Sequence, residues 1–375
     1  MASAEPQAAP RALGSRLAFA DGIRGLAALW VVLFHASEGG HVDHLKAVLP
    51  AWFSRLMFDW GHLGVALFFV LSGFVMMHSV RGLAFDAGTG RRFMLRRLLR
   101  LTPPYYAAIA FVIGYVALKA VVQHQPAPVP RPGVVLAHLL YLQDILSQDT
   151  VSVVFWTLCI EIQFYIAFTL LMLARYHAGR RWGERKATLV ALAGAALVGL
   201  PWAFGILSLP LYPGGFLSFW YCFMLGVLVS AQAEGGATRV VFFGFVALLV
   251  AAGVITESGV AWASLAGTGL IYAGMRAAWL DRLLNLRVLQ YLGLVLYSLY
   301  LTHNQITGAT QTALKRLVGQ TALGELALLG AIIVACVLFA TLLYWRVEIP
   351  SIAWSRRVSF LTLAPSRPAG GPVNS

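Results

Sequence analysis

Residues 19–40 read FADGIRGLAALWVVLFHASEGG, an apolar run that carries Asp21, Arg24 and His35. Its apolar part is long enough to cross a bilayer as one helix, which takes about 17 to 25 residues. An ionisable side chain inside such a helix is costly and faces a bundle interior or a water-filled cavity. Asp21 stands just before the run, where it is expected to cap the free N–H groups of the helix start. Arg24 follows in the first turn, within snorkelling reach of water. His35 lies eleven residues beyond Arg24, about three helical turns, so both project from nearly the same face, about 16 Å apart along the axis.

Runs of this kind recur along the whole chain. Of its 375 residues 59% are hydrophobic and only 11% charged, with a mean hydropathy of +0.75, far more apolar than a soluble domain. The expected fold class is all-α, a polytopic membrane protein. Ten spans are expected, at about 21–38, 61–80, 103–122, 152–174, 187–205, 215–232, 239–256, 259–277, 288–312 and 323–346. The net charge of +13 is a topology signal. With the N-terminus in the cytoplasm, 22 of the 28 Lys and Arg residues fall on the inner side, as the positive-inside rule requires. The outer side keeps Lys46, Arg55, Lys119, Arg131, Lys315 and Arg316. Both termini are then cytoplasmic. Nucleic acid is excluded as a partner, because the basic residues are divided among loops bordering apolar spans.

Cys159, Cys222 and Cys336 all fall inside expected spans, at spacings that match no metal site or disulfide, and read as small packing residues. No cleavable signal peptide is evident in the Ala/Pro/Arg-rich residues 1–18; these and residues 348–375 read as flexible cytoplasmic tails. The longest outer connections lie at about 39–60 and 123–151. The second contains a Pro-rich stretch, then VVLAHLLYLQDIL, which is too short to span and suits an interfacial or re-entrant segment. The inner loops contain RRFMLRRLLRLTPPYYA at residues 91–107, where a basic run meets a span at Pro103 and Pro104.

Two further spans carry ionisable groups. Glu161 lies within FWTLCIEIQFYIAF (155–168), and His303 within LYSLYLTHNQITGA (296–309). Helical rise puts both at a depth similar to that of His35. A packing reading stands beside the functional one: for His35 a histidine bonded to a neighbouring helix, and for Glu161 a carboxyl buried neutral.

Five stretches, in order, resemble the acyltransferase-3 family of integral-membrane acyltransferases. They are FADGIRGLAALWVVLFH (19–35), LGVALFFVLSGFVM (63–76), RRFMLRRLLRLTPPYY (91–106), WTLCIEIQFY (156–165) and LGLVLYSLYLTH (292–303). The resemblance implies a transmembrane acyltransferase domain over residues 19–347, in the inner membrane of a bacterium. It implies O-acylation, usually O-acetylation, of a carbohydrate hydroxyl by cytosolic acetyl-CoA or another acyl-CoA as donor, with no permanently bound cofactor and no metal. The family's basic residue followed by histidine looks like Arg24 and His35, its Arg-x-x-Arg element like Arg97 and Arg100, with Arg96 just before, and its Trp-Ser-x-x-x-Glu element like Trp156, Thr157 and Glu161. Here Thr157 replaces the common serine, Ile162 a second acid, and Asn304 and Gln305 stand where a proline often follows His303.

The chemistry suits these residue types. Imidazole can take the proton of an attacking hydroxyl near neutral pH, so His35 is the expected base, with Glu161 orienting its ring or stabilising its charge as the acid of a triad does. Covalent acylation of the histidine is an alternative. Guanidinium groups match phosphates, so Arg24, Arg97 and Arg100 are expected to bind the donor, although topology alone also demands basic residues there. Ser72 and Gly73 read either as a close helix contact, the preferred reading, or as part of a passage leading the acyl group towards His35. Trp52, Trp60, Tyr212 and Trp220, at outer helix ends, are candidates for stacking on sugars or for interfacial anchoring. The expected acceptor is an exopolysaccharide sugar, free or lipid-linked, with polysaccharide-assembly proteins as possible partners. Lipopolysaccharide O-antigen, other glycans and small-molecule hydroxyls are alternatives. Of other classes, a transporter of acyl or glycan substrates would show duplicated halves or broken helices, and a non-catalytic assembly module would tolerate loss of His35.

Overall fold

In the computed structural model, residues 17–40, 42–207 and 215–358 are described, and among them the chain is helical with no strand. Tyr212, most of the N-terminal tail and residues 359–375 lie outside the described residues. Ten helices form the body: α1 Ala18–Glu38, α2 Gly64–Val80, α3 Ala87–Val122, α4 Trp156–Trp182, α5 Glu184–Val198, α6 Trp220–Ala231, α7 Gly236–Thr256, α8 Gly259–Gly274, α9 Leu296–Val318 and α10 Ala322–Leu343. Shorter helical pieces join them. Eight helical segments among the described residues are long and apolar enough to cross a membrane.

Two of the ten expected spans are not among those eight. The stretch 259–277 yields the 16-residue α8. The stretch 288–312 is broken at Val295 into Arg287–Leu294 and α9, and α9 carries Thr302, His303, Asn304, Gln305 and Thr307, which lower its apolarity. Three other expectations change. Helix α1 begins one turn early, with Leu17 at the cap position, because Phe19 and Ala20 are both buried. Asp21 is therefore in the first turn and pairs with Arg24 at 3.4 Å rather than capping the helix. The basic run at 91–100 belongs to the 36-residue α3, which continues through Pro103 and Pro104. At 1.5 Å per residue such a helix is about 54 Å long. Its start is capped by Asp86, whose side chain accepts from the amide of Thr89 at 2.7 Å. Finally, the stretch from 348 set aside as a tail opens with helix Ile349–Arg356, packed on α3 with Ser351 and Ser355 buried.

In a bilayer, helices associate by close packing rather than by exclusion of apolar surface from water, and small residues set the approach. At the crossing of α2 and α6, a Cβ on Gly73 would stand 2.0 Å from the carbonyl oxygen of Phe223, and one on Gly226 would stand 1.9 Å from that of Val70. No rotamer relieves a clash with backbone. Gly226→Leu is therefore expected to separate α2 from α6 and unfold this half of the bundle. Thiol labelling in detergent checks it: Cys222, fully buried on α6, stays protected in the parent and reacts in the variant.

The second close approach fixes the start of α1. A Cβ on Gly293 would stand 2.1 Å from the carbonyl oxygen of Asp21. Gln290 also donates to the carbonyl of Ala18 at 2.7 Å, so the turn bearing Arg24 is held firmly against the chain that leads into α9. Further along α1, the connection to α2 is fastened in place. Trp30 Nε1 donates to the carbonyl of Leu56 at 2.6 Å, and the Glu325 carboxylate of α10 holds the amide of Leu45 at 2.7 Å and His44 Nδ1 at 2.8 Å.

Candidate active site

A cavity of about 120 Å³ opens between α1, α2, α3, α4 and α9. Arg24 enters it from α1, Ser72 from α2, Arg97 and Arg100 from α3, Glu161 and Tyr165 from α4, and Tyr297 and Tyr300 from α9. The three arginines expected to act together therefore do meet. They do so because α3 carries its cations into the bundle as a helix. Arg97 and Arg100 are one turn apart on that helix, and Arg97 lies over the rings of Phe93 and Tyr165, 5.4 and 5.7 Å from the centroids. Among the described residues, neither Arg97 nor Arg100 has a carboxylate within ion-pair distance.

Glu161 sits in the same cavity, and its carboxylate is engaged. Ser72 Oγ donates to Oε1 at 2.8 Å, and the Tyr165 hydroxyl donates to the same oxygen. Gly73 is the packing residue expected, whereas Ser72 is a partner of Glu161. Another carboxylate, Glu348, lines the cavity although it is 2% exposed; it accepts from Ser298 Oγ at 2.7 Å. Sequence reasoning missed it because it stands at the edge of an expected tail. The signal was there: an acid followed by Ile349 and Pro350 directly after an apolar span.

His35 does not line this cavity. Its Nδ1 lies 2.8 Å from Glu38 Oε2, one turn further along α1, and its ring centroid is 5.0 Å from that of His303. The structure thus brings His35 and His303 together and leaves Glu161 apart from both, bonded elsewhere. The acid beside His35 is Glu38, and the i, i+3 spacing of His35 and Glu38 was the sequence signal for it. His303 is 1% exposed, with Nδ1 at 2.9 Å from the carbonyl of Tyr300 and 3.3 Å from that of Leu299. Tyr300 joins the two regions. It lines the cavity, its ring centroid is 5.7 Å from that of His303, and its hydroxyl is hydrogen-bonded to Thr157 Oγ1 at 2.9 Å. Cations, tyrosine and histidines therefore follow one another from the first turns of α1 towards its C-terminal end.

The remaining candidates scatter. Arg91, Arg92 and Arg96 lie on α3 outside the cavity lining. Trp52 and Trp60 are exposed, at 67% and 50%. Trp220 is buried, with Nε1 donating to the carbonyl of Ala195 at 2.6 Å, and so has no free face for a sugar. The three cysteines are buried and free, as packing residues should be.

Residues 17–345 match a family model described as an acyltransferase domain. Among curated proteins, the chain is 34% identical over 101 residues to "Protein 2 in picA locus" of Rhizobium radiobacter, covering 27% of this chain and 46% of that protein. It is 28% identical over 166 residues to "Regulator of hypoxia-inducible factor 1" of Caenorhabditis elegans, covering 40% of this chain and 33% of that one. The matches thus span less than half the length of these two relatives. No solved structure matches.

Proposed function

Since the chain belongs to the acyltransferase-3 family and is a membrane acyltransferase, we propose that it moves an acetyl group from cytosolic acetyl-CoA to a sugar hydroxyl. The acceptor we assign is a bacterial exopolysaccharide or its lipid-linked precursor, and the site is the inner membrane, with both termini in the cytoplasm. The observation that carries this proposal is the meeting of Arg24, Arg97 and Arg100 in one cavity. Arg97 and Arg100, which have no carboxylate within ion-pair distance among the described residues, suit a donor that bears phosphates, with Arg24, paired to Asp21, beside them; guanidinium groups bind phosphate by charge-assisted, often bidentate, hydrogen bonds.

The base is His35. With Glu38 accepting from Nδ1–H, the ring presents the lone pair of Nε2. Nε2 takes the proton of the acceptor hydroxyl as its oxygen attacks the thioester carbonyl. The carbon–sulfur bond breaks, and the departing thiolate regains a proton. Glu38 fixes the tautomer and offsets the charge that the ring acquires, a role foreseen for Glu161. Glu161, bonded to Ser72 and Tyr165, instead shapes the cavity beside the arginines.

Proton NMR of surface and extracellular glycans tests this, before and after mild alkali, in a deletion strain complemented with the parent or with His35→Ala at matched membrane levels. The parent is expected to restore an alkali-labile acetyl signal in one glycan, and His35→Ala to restore none. Full restoration by His35→Ala would remove His35 from the reaction; no acetyl change with the parent would point to another acyl group or acceptor.

A further inference from the structure

His303 carries an unanswered polar atom. Its Nδ1 faces two carbonyls, and carbonyls only accept, so the proton of the neutral ring is on Nδ1 and Nε2 is a lone-pair acceptor. That Nε2 is buried and has no hydrogen-bond partner. Leaving a buried acceptor unmade is unfavourable, so a donor that arrives only in another state would repay it. The group beside it is the His35 ring, 5.0 Å away between centroids. In the resting enzyme His35 offers no such donor, because its Nδ1–H is taken by Glu38. Once His35 has accepted a proton on Nε2, it does.

We propose that His303 is a positioning residue that stabilises the imidazolium formed on His35, its Nε2 accepting the new N–H. This rests on His35 being the base. The bond exists after proton removal and not before it, so it favours the transition state over the ground state, which is what raises kcat. The proton count closes: the hydroxyl proton moves to His35, is shared with His303 Nε2, and leaves with the thiolate. The other titratable groups around His35 are Glu38 on its own helix, Tyr300 behind His303, His62 across the Phe34 ring, and Lys46, bound to Ser37 and Asp59. None of these replaces the acceptor on His303.

Two polar variants of the purified protein test this. His303→Asn keeps a donor for the two carbonyls and loses the acceptor at the Nε2 position; His303→Gln keeps an oxygen there. Turnover of radiolabelled acetyl-CoA with a glycan acceptor is followed against pH. His303→Asn is expected to lose tenfold or more in kcat, with the donor KM unchanged, and to move the acid limb of kcat/KM to lower pH by about one unit. His303→Gln is expected to retain the parent's limb and most of kcat. An unmoved limb in His303→Asn, or equal behaviour of the two variants, overturns the proposal. Activity that survives in His35→Ala overturns the base itself, a different failure.

Discussion

Replacing His35 with alanine is expected to lower kcat by about 10²- to 10⁴-fold, the range over which a positioned base contributes, while donor affinity stays as it was. The two halves of this result separate because His35 stands outside the cavity that holds the arginines. Removing it leaves Arg24, Arg97 and Arg100 in place. Initial-rate turnover gives kcat, and titration calorimetry with acetyl-CoA in the absence of acceptor gives the dissociation constant. Glu38→Gln should fall between parent and His35→Ala, since the amide keeps a hydrogen bond to the ring but carries no charge to offset the imidazolium. A His35→Ala protein that turns over at the parent rate would assign the ring to packing.

Arg97→Ala and Arg100→Ala should each weaken donor binding by about 10- to 100-fold, as expected when one charge-assisted contact is removed. The effect appears in KM, with kcat changed less. Salt separates charge from shape: raising ionic strength is expected to weaken donor binding to the parent and to do so less steeply in either variant, because one cation facing the donor has gone. Arg97→Lys restores the charge but not the planar stacking over Phe93 and Tyr165, and is expected to recover only part of the affinity. Unchanged KM in both alanine variants would leave these cations as topology determinants.

The membrane fold was legible because apolar runs of spanning length announce themselves without tertiary information. What the sequence concealed has specific causes. Pro103 and Pro104 mark a break in most soluble helices, yet α3 passes through them, and this continuity is what carries Arg97 and Arg100 into the bundle. Val295 gives no turn signal, so the break before α9 was invisible. Depth arithmetic placed His35, Glu161 and His303 at similar levels, but it is silent on azimuth. Only the packed helices show that His35 meets His303 and that Glu161 turns to Ser72 and Tyr165. Glu38, half exposed at the end of α1, offered only its i, i+3 spacing from His35 as a signal, and the contact itself marks it as the partner.

Tyr300 has one more consequence, and it concerns the cell rather than the reaction. An open aqueous path joining the arginine cavity to the His35 end of α1 would be an anion leak, since each elementary charge crossing the membrane potential gains about 2.3 kcal/mol per 100 mV. The Tyr300 ring, hydrogen-bonded to Thr157 of α4, lines the cavity and meets the His303 ring, where it is expected to bar hydrated ions. On the proposed reaction the bilayer would stay electrically tight while an uncharged acyl group passes the same tyrosine.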